Sequence, residues 1–81
     1  MNATVTISNI YWNASLAGFF FREQAMKTLE ELVERSSLGG NDTLEILDDM
    51  TEDMDIDEVE ETFYNDSVEE CAERFDIELE Y

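Results

Sequence analysis

The hydrophobic and polar residues at the two ends of this chain alternate every second position. Residues Ala3 to Ile10 are rich in β-branched side chains and alternate between apolar and polar positions, as expected for a strand with one exposed face. Residues Phe75 to Tyr81 alternate just as strictly, with acids at every second position. We therefore expect the two segments to pair as antiparallel strands.

The apolar run from Leu16 to Phe21 leaves two alternatives open. It is either a second strand in a hairpin with the first, or the opening of the next helix. Gly18 and three consecutive phenylalanines favour the strand, because glycine and aromatic residues are poor helix formers.

A helical period begins at Arg22 and is supported by charge pairs. Apolar residues recur on one face, and the acid-then-base pairs Glu23/Lys27 and Glu31/Arg35 lie four residues apart. The segment Ser36–Gly40, with its two glycines, is expected to end this helix. The apolar positions of its buried face are Met26, Leu29, Leu32 and Val33.

Shorter helical patterns follow in the second half of the chain. Asn41 or Asp42 is expected to cap the first, and Asp66 with Glu69 resembles a capping box in front of the last. Cys71 falls on the buried face of that last helix. The apolar positions of the three patterns are Leu44, Ile46, Leu47 and Met50, then Ile56, Val59 and Phe63, then Val68, Cys71, Ala72 and Phe75.

These elements predict a single domain, residues 1–81, of the α+β class. A small antiparallel sheet, formed by the N-terminal strand or strands and the C-terminal strand, would pack against about three helices. A chain of 81 residues buries only about 60% of its unfolded surface, so we expect marginal stability.

Charge divides the chain into two unequal halves. The segment from Asp42 to Glu80 holds eighteen acidic residues and one basic residue, Arg74, and accounts for nearly all of the net charge of −18. With four cationic side chains in total, direct binding of DNA, RNA or anionic lipid is not expected. A soluble domain needs a net charge of only about 2 to 8 in magnitude, so the excess points to a basic partner.

The spacing of the acids suggests imitation of nucleic acid. Duplex DNA carries one charge per roughly 1.7 Å of its axis, and a helix rising about 1.5 Å per residue presents acid pairs at a similar density. The expected partner surface is the basic cleft of a nucleic-acid-binding protein or ribonucleoprotein complex. The predicted partner-binding residues are Asp48, Asp49, Glu52, Asp53, Asp55, Asp57, Glu58, Glu60, Glu61, Asp66, Glu69, Glu70 and Glu73.

No motif for catalysis or cofactor binding stands out. The chain has no histidine and no glycine-rich phosphate loop, so we expect neither enzymatic activity nor a cofactor. Asp53, Asp55 and Asp57 have the spacing of a calcium loop, but Glu58 stands where the loop needs glycine and Tyr64 where it needs a bidentate carboxylate. We therefore expect no specific metal site.

The chain resembles the small acidic anti-defence proteins of phages and mobile elements, including anti-CRISPR and antirestriction proteins. The segment from Val5 to Phe21 is also similar to the opening of ArdA-type antirestriction proteins, although Trp12 separates the tyrosine from the asparagine of that pattern. The shared positions are Ile7, Asn9, Tyr11, Asn13, Leu16, Gly18 and Phe20. The resemblance implies an acidic, dimeric DNA mimic that inhibits a DNA-handling complex.

Two further hypotheses remain open. The chain is a small adaptor that docks through an apolar face, including a homodimer through Tyr11, Trp12 and Tyr81, or it is an acidic chaperone of a basic protein. A single cysteine and the lack of an export signal or an apolar span favour the bacterial cytoplasm and no membrane association.

Overall fold

A computed structural model describes residues 6–13 and 21–80. These residues form five helices, the last four of which are joined by short turns. Helix α2 is the centre of the packing, because it contacts each of the other four. Helix α1 also packs on α3, and α4 on α5. The helices are α1 (Ile7–Trp12), α2 (Glu23–Arg35), α3 (Gly40–Met50), α4 (Ile56–Asn65) and α5 (Val68–Arg74).

The core lies along the apolar face of α2. Leu29 and Leu32 are fully buried there, and Val33 is nearly so, as the helical spacing predicts. Phe63 of α4 is also fully buried and lies between two further aromatic rings, with centroid distances of 6.1 Å to Phe21 and 5.8 Å to Phe75. Burying side chains of this size contributes about 1.5–3 kcal/mol each, so these three rings contribute strongly to stability.

The predicted α+β class is wrong, because the described residues are helical and contain no sheet. Residues 7–10 of the expected first strand form the start of α1, whose N-terminus is capped by the Thr6 hydroxyl accepting from the Asn9 N–H at 3.1 Å. Ile7 and Ile10, three residues apart, are both buried. That spacing places them on one helical face, and tertiary burial outweighs the β propensity of the segment. Residues 3–5 lie outside the described part.

Within the described ranges, the C-terminal segment does not pair with the N-terminal one. It returns along the end of α2, where the Ser37 N–H donates to the Glu78 carbonyl at 2.9 Å and the Glu80 N–H donates to the Arg35 carbonyl at 2.7 Å. The result is one isolated antiparallel bridge between Ser36 and Leu79 rather than a sheet. The predicted alternation of apolar and polar side chains is still seen in their burial. The apolar residues Phe75, Ile77 and Leu79 are buried, and the acids Asp76, Glu78 and Glu80 are exposed.

The remaining predictions concern segment ends. The segment Leu16 to Phe21 was expected to form either a second strand or the opening of the next helix. Only Phe21 of it is described, and it lies buried in a bend before α2. Helix α3 begins at Gly40 behind Gly39, whose φ of 90° suits a glycine, rather than behind Asn41 or Asp42. The capping box of α5 is formed by Ser67 and Glu70 instead of Asp66 and Glu69.

Candidate functional site

Each of the four cationic side chains is already paired with a carboxylate of the same chain. All charged residues lie within the described ranges, so the remaining acids have no lysine or arginine of their own to neutralise them. The pairs are Arg22–Glu60 at 3.0 Å, Lys27–Glu23 at 3.7 Å, Arg35–Glu31 at 3.0 Å, Arg35–Glu69 at 3.1 Å and Arg74–Asp66 at 2.9 Å.

The molecule is a short rod, and its charge is dense along the rod axis. Its principal extents are 40 × 22 × 21 Å. Eighteen net negative charges over an axis of 40 Å correspond to about one per 2.2 Å. Duplex DNA carries one per roughly 1.7 Å of axis. The folded chain therefore approaches the linear charge density of a nucleic acid.

The main concentration of acids surrounds Arg74, and we call it the Arg74 surface. Three shallow depressions adjoin one another along α4, α5 and the turn that follows α5. The first two share Asp66 and Arg74, and the third shares Glu73 with the first. Together they gather seven acids, of which Asp76 and Glu78 were not predicted: Glu58, Glu61, Asp66, Glu70, Glu73, Asp76 and Glu78.

A second acidic stripe runs along the outer side of α3. Asp42, Glu45 and Asp49 are exposed and follow the i, i+3, i+7 spacing of one helical face, opposite the buried residues Leu44 and Leu47. Only Asp49 was predicted, although the same spacing argument identifies the other two. None of the three lines the depressions around Arg74. The exposed acids thus extend beyond the Arg74 surface.

Two of the predicted residues serve the fold. The Asp48 carboxylate accepts hydrogen bonds from the Ser8 N–H and hydroxyl, which joins α3 to α1. The Glu60 carboxylate accepts from Arg22 through both the backbone N–H and Nε, and the Arg22 guanidinium lies 3.7 Å above the Tyr64 ring. Both carboxylates are already hydrogen-bonded to other residues of the chain, so they are poorly placed to bind a partner.

Three more predicted residues have local roles at helix ends. Asp55 caps α4 by accepting from the Glu58 N–H at 2.9 Å, and Glu70 completes the capping box of α5. The pKa of Glu69 is lowered, first by a hydrogen bond from its own backbone N–H and then by Arg35. Charge at all three sites is favourable next to a helix N-terminus.

Seven predicted side chains remain exposed without a hydrogen bond or ion pair within the described part of the chain. They are the carboxylates most available to an external cation. Three of them, Glu58, Glu61 and Glu73, belong to the Arg74 surface. The full set is Asp49, Asp53, Asp57, Glu52, Glu58, Glu61 and Glu73.

Three other kinds of side chain could react, bind a metal ion or dock a partner. Cys71 is buried, and burial raises the pKa of its thiol to about 12, so it stays protonated at neutral pH. Asp53, Asp55 and Asp57 do not converge, and the described residues contain no group of three side chains arranged to hold a metal ion. Trp12 is 61% exposed and packs edge to face on Tyr11 at 5.1 Å.

Comparisons with protein-family models, with curated proteins and with solved structures found no significant match. In the described ranges, none of the helices has the length and apolar character needed to cross a membrane.

Proposed function

We propose that this chain inhibits a bacterial nucleic-acid-binding defence complex, either a CRISPR effector or a restriction enzyme, in the cytoplasm of the host cell. It occupies the basic cleft of that complex and so excludes DNA or RNA. The observation that carries the proposal is the density of net negative charge along the rod, about one per 2.2 Å over 40 Å.

The internal pairing of cations supports this proposal. Because every lysine and arginine is bound to a carboxylate, the α3 stripe presents only acids to solvent, and the Arg74 surface presents seven acids with one cation that is already paired. A cleft lined by lysine and arginine attracts such a body at long range and holds it through many ion pairs. Binding in the cleft requires no catalytic group.

The distribution of charge also fits a cleft better than a flat patch. The acids of α3 and those around Arg74 lie on separate helices that share one core. A partner that encloses nucleic acid on more than one side meets both sets, whereas a flat surface meets one. Nucleases and guide-RNA effectors hold their substrates in such channels.

The test is a competition between this protein and nucleic acid. A purified guide-loaded effector and a purified restriction enzyme would each be mixed with fluorescent duplex DNA, and DNA binding would be followed by anisotropy as the protein is added. We expect displacement of DNA from at least one of them, with an apparent affinity that falls by about tenfold or more as salt rises from 0.1 M to 0.3 M.

A matched pair of variants separates the acidic surface from total charge. E58Q/E61Q removes two charges from the Arg74 surface, and E30Q/E34Q removes two from the exposed side of α2. Displacement should weaken strongly in the first and little in the second. The proposal would be contradicted if both variants displaced DNA equally well, or if displacement did not depend on salt concentration.

One observation favours a second candidate function. Trp12, the largest apolar side chain of the protein, exposes 61% of its surface at the end of α1 and lies beside the Tyr11 ring. An adaptor that docks through Trp12 and Tyr11 would associate independently of salt and lose binding in W12A. The same W12A variant should leave the charge-driven competition unchanged if the first proposal is correct.

A further inference from the structure

A groove beside Leu38 lies at the end of the Arg74 surface, and we call it the Leu38 groove. Two turns form it, one between α2 and α3 and one after α5. The Ser37 N–H bonds the Glu78 carbonyl at 2.9 Å, and the Ile77 N–H bonds the Ala72 carbonyl at 2.8 Å. The first bond joins the two turns, and the second closes the end of α5, so the groove is built into the fold.

The groove combines an apolar side with an acidic rim. Leu38 is 43% exposed and forms most of the apolar side, while Ala72 and Ile77 line the groove but are each only 5% exposed. The rim carries three exposed carboxylates for which the described residues supply no ion pair: Glu73, Asp76 and Glu78. Because all four cationic side chains are paired at other carboxylates, none of them serves this rim.

The depression next to the groove shows which group suits this surface. It shares Glu73 with the groove and contains Arg74, whose Nε and Nη2 donate to one oxygen of Asp66 at 3.0 Å and 2.9 Å. The chain thus places its own guanidinium in one acidic depression. The neighbouring groove has the same kind of rim and an apolar wall in addition.

We propose that the Leu38 groove receives an arginine side chain from the basic partner, an inference that rests on the proposed function. The three-carbon stem of arginine lies along Leu38 and Ile77, and the guanidinium donates to the rim carboxylates. Arginine suits this site better than lysine, because its guanidinium is planar, has five donors and is more weakly hydrated than an ammonium group.

The test uses two labelled peptides that differ only in their cation, one alternating arginine with glycine and one alternating lysine with glycine. Their dissociation constants with the full chain are measured by fluorescence anisotropy in about 50 mM salt, where exposed charges are weakly screened. We expect the arginine peptide to bind at least about fivefold more tightly than the lysine peptide.

Variants of equal charge locate the binding. E73Q/D76N/E78Q neutralises the groove rim, and D42N/E45Q/D49N neutralises the outer stripe of α3 by the same three charges. The rim variant should weaken the arginine peptide by about tenfold and abolish the preference for arginine, whereas the α3 variant should keep that preference. L38S, which preserves every charge, should reduce the preference as well.

The outcomes separate this inference from the proposed function. If the two triple variants weaken binding equally, or if the unmodified chain binds the two peptides with equal affinity, the proposal that the Leu38 groove binds arginine is wrong. The proposed competition for a basic cleft is not affected by that result. Failure of both peptides to bind at low salt overturns both proposals. Circular dichroism of each variant establishes that it is folded before its affinity is compared.

Discussion

The carboxylate of Asp48 accepts two hydrogen bonds from Ser8, one from the backbone N–H at 3.0 Å and one from the hydroxyl at 2.5 Å. That N–H belongs to the first turn of α1, whose amide groups have no partner within the helix. A single acid of α3 thereby satisfies the N-terminus of another helix and fixes the two against each other. Its immediate neighbour, Asp49, is exposed and makes no such bond.

This difference predicts opposite effects for adjacent residues of the same type. D48A should lower the free energy of unfolding by about 1–2 kcal/mol, because it leaves the Ser8 donors without their acceptor. D49A removes the same charge, but the Asp49 side chain is exposed to solvent and accepts no such bond. Stability should therefore be unchanged or slightly higher. Urea denaturation of the two variants measures both, and similar losses in the two would show that the Asp48–Ser8 contact contributes nothing specific.

Salt should stabilise this protein. Eighteen net charges on a rod 40 Å long repel one another, and raising the salt concentration from 0.1 M to 1 M shortens the screening length from about 10 Å to about 3 Å. We expect the midpoint of thermal unfolding to rise over this range in sodium chloride. The E58Q/E61Q variant should have a higher unfolding midpoint at 0.1 M salt, and its midpoint should rise less when salt is added. A midpoint that falls with added salt would show that the ion pairs outweigh the repulsion.

Alkaline pH should destabilise the fold through Cys71. Burial raises the pKa of the thiol from 9.0 to about 12, so the folded state keeps its proton where the unfolded state loses it. The resulting stabilisation is complete below about pH 9 and is lost as pH rises toward 12. The stability difference between the unmodified chain and C71A should therefore shrink between pH 9 and 11, while other alkaline titrations cancel in the comparison. A constant difference would contradict the raised pKa.

Asp76 occupies a backbone conformation that favours glycine. Its φ is 56°, and it follows the C-cap Phe75 where α5 ends, with the Ile77 N–H returning to the Ala72 carbonyl. D76G should raise the free energy of unfolding by about 1 kcal/mol. D76A removes the same charge but keeps the Cβ, and should be less stable than D76G by a similar amount. Equal stability of the two would show that charge, not backbone conformation, governs this position.

How far the sequence predicts this fold depends on segment length. The thirteen residues of α2 repeat the helical period often enough to fix its buried face, and its two acid–base pairs form as expected. At the N-terminus the pattern is ambiguous: Val5 and Ile7 are two apart, as in a strand, while Ile7 and Ile10 are three apart, as in a helix. In the folded chain, packing of α1 against α3 stabilises the helix.

The candidate site shows the same limit. Sequence reasoning identified the acidic half, but it could not separate acids that bond within the chain from those that face solvent. Asp48 and Glu60 meet partners 40 and 38 residues away, at Ser8 and Arg22. Such contacts depend on how helices pack and leave no local signal.

The sequence by itself determined the amphipathic helices of the second half, the burial of Cys71 and the excess of negative charge, because each follows from residue type and short-range spacing. Tertiary structure alone decided that the described residues near the two chain ends form no sheet, which carboxylates bond within the chain, and which of the others lie near Arg74. The physical reason is that helix packing joins residues far apart in the chain, and only that packing sets which polar groups find partners.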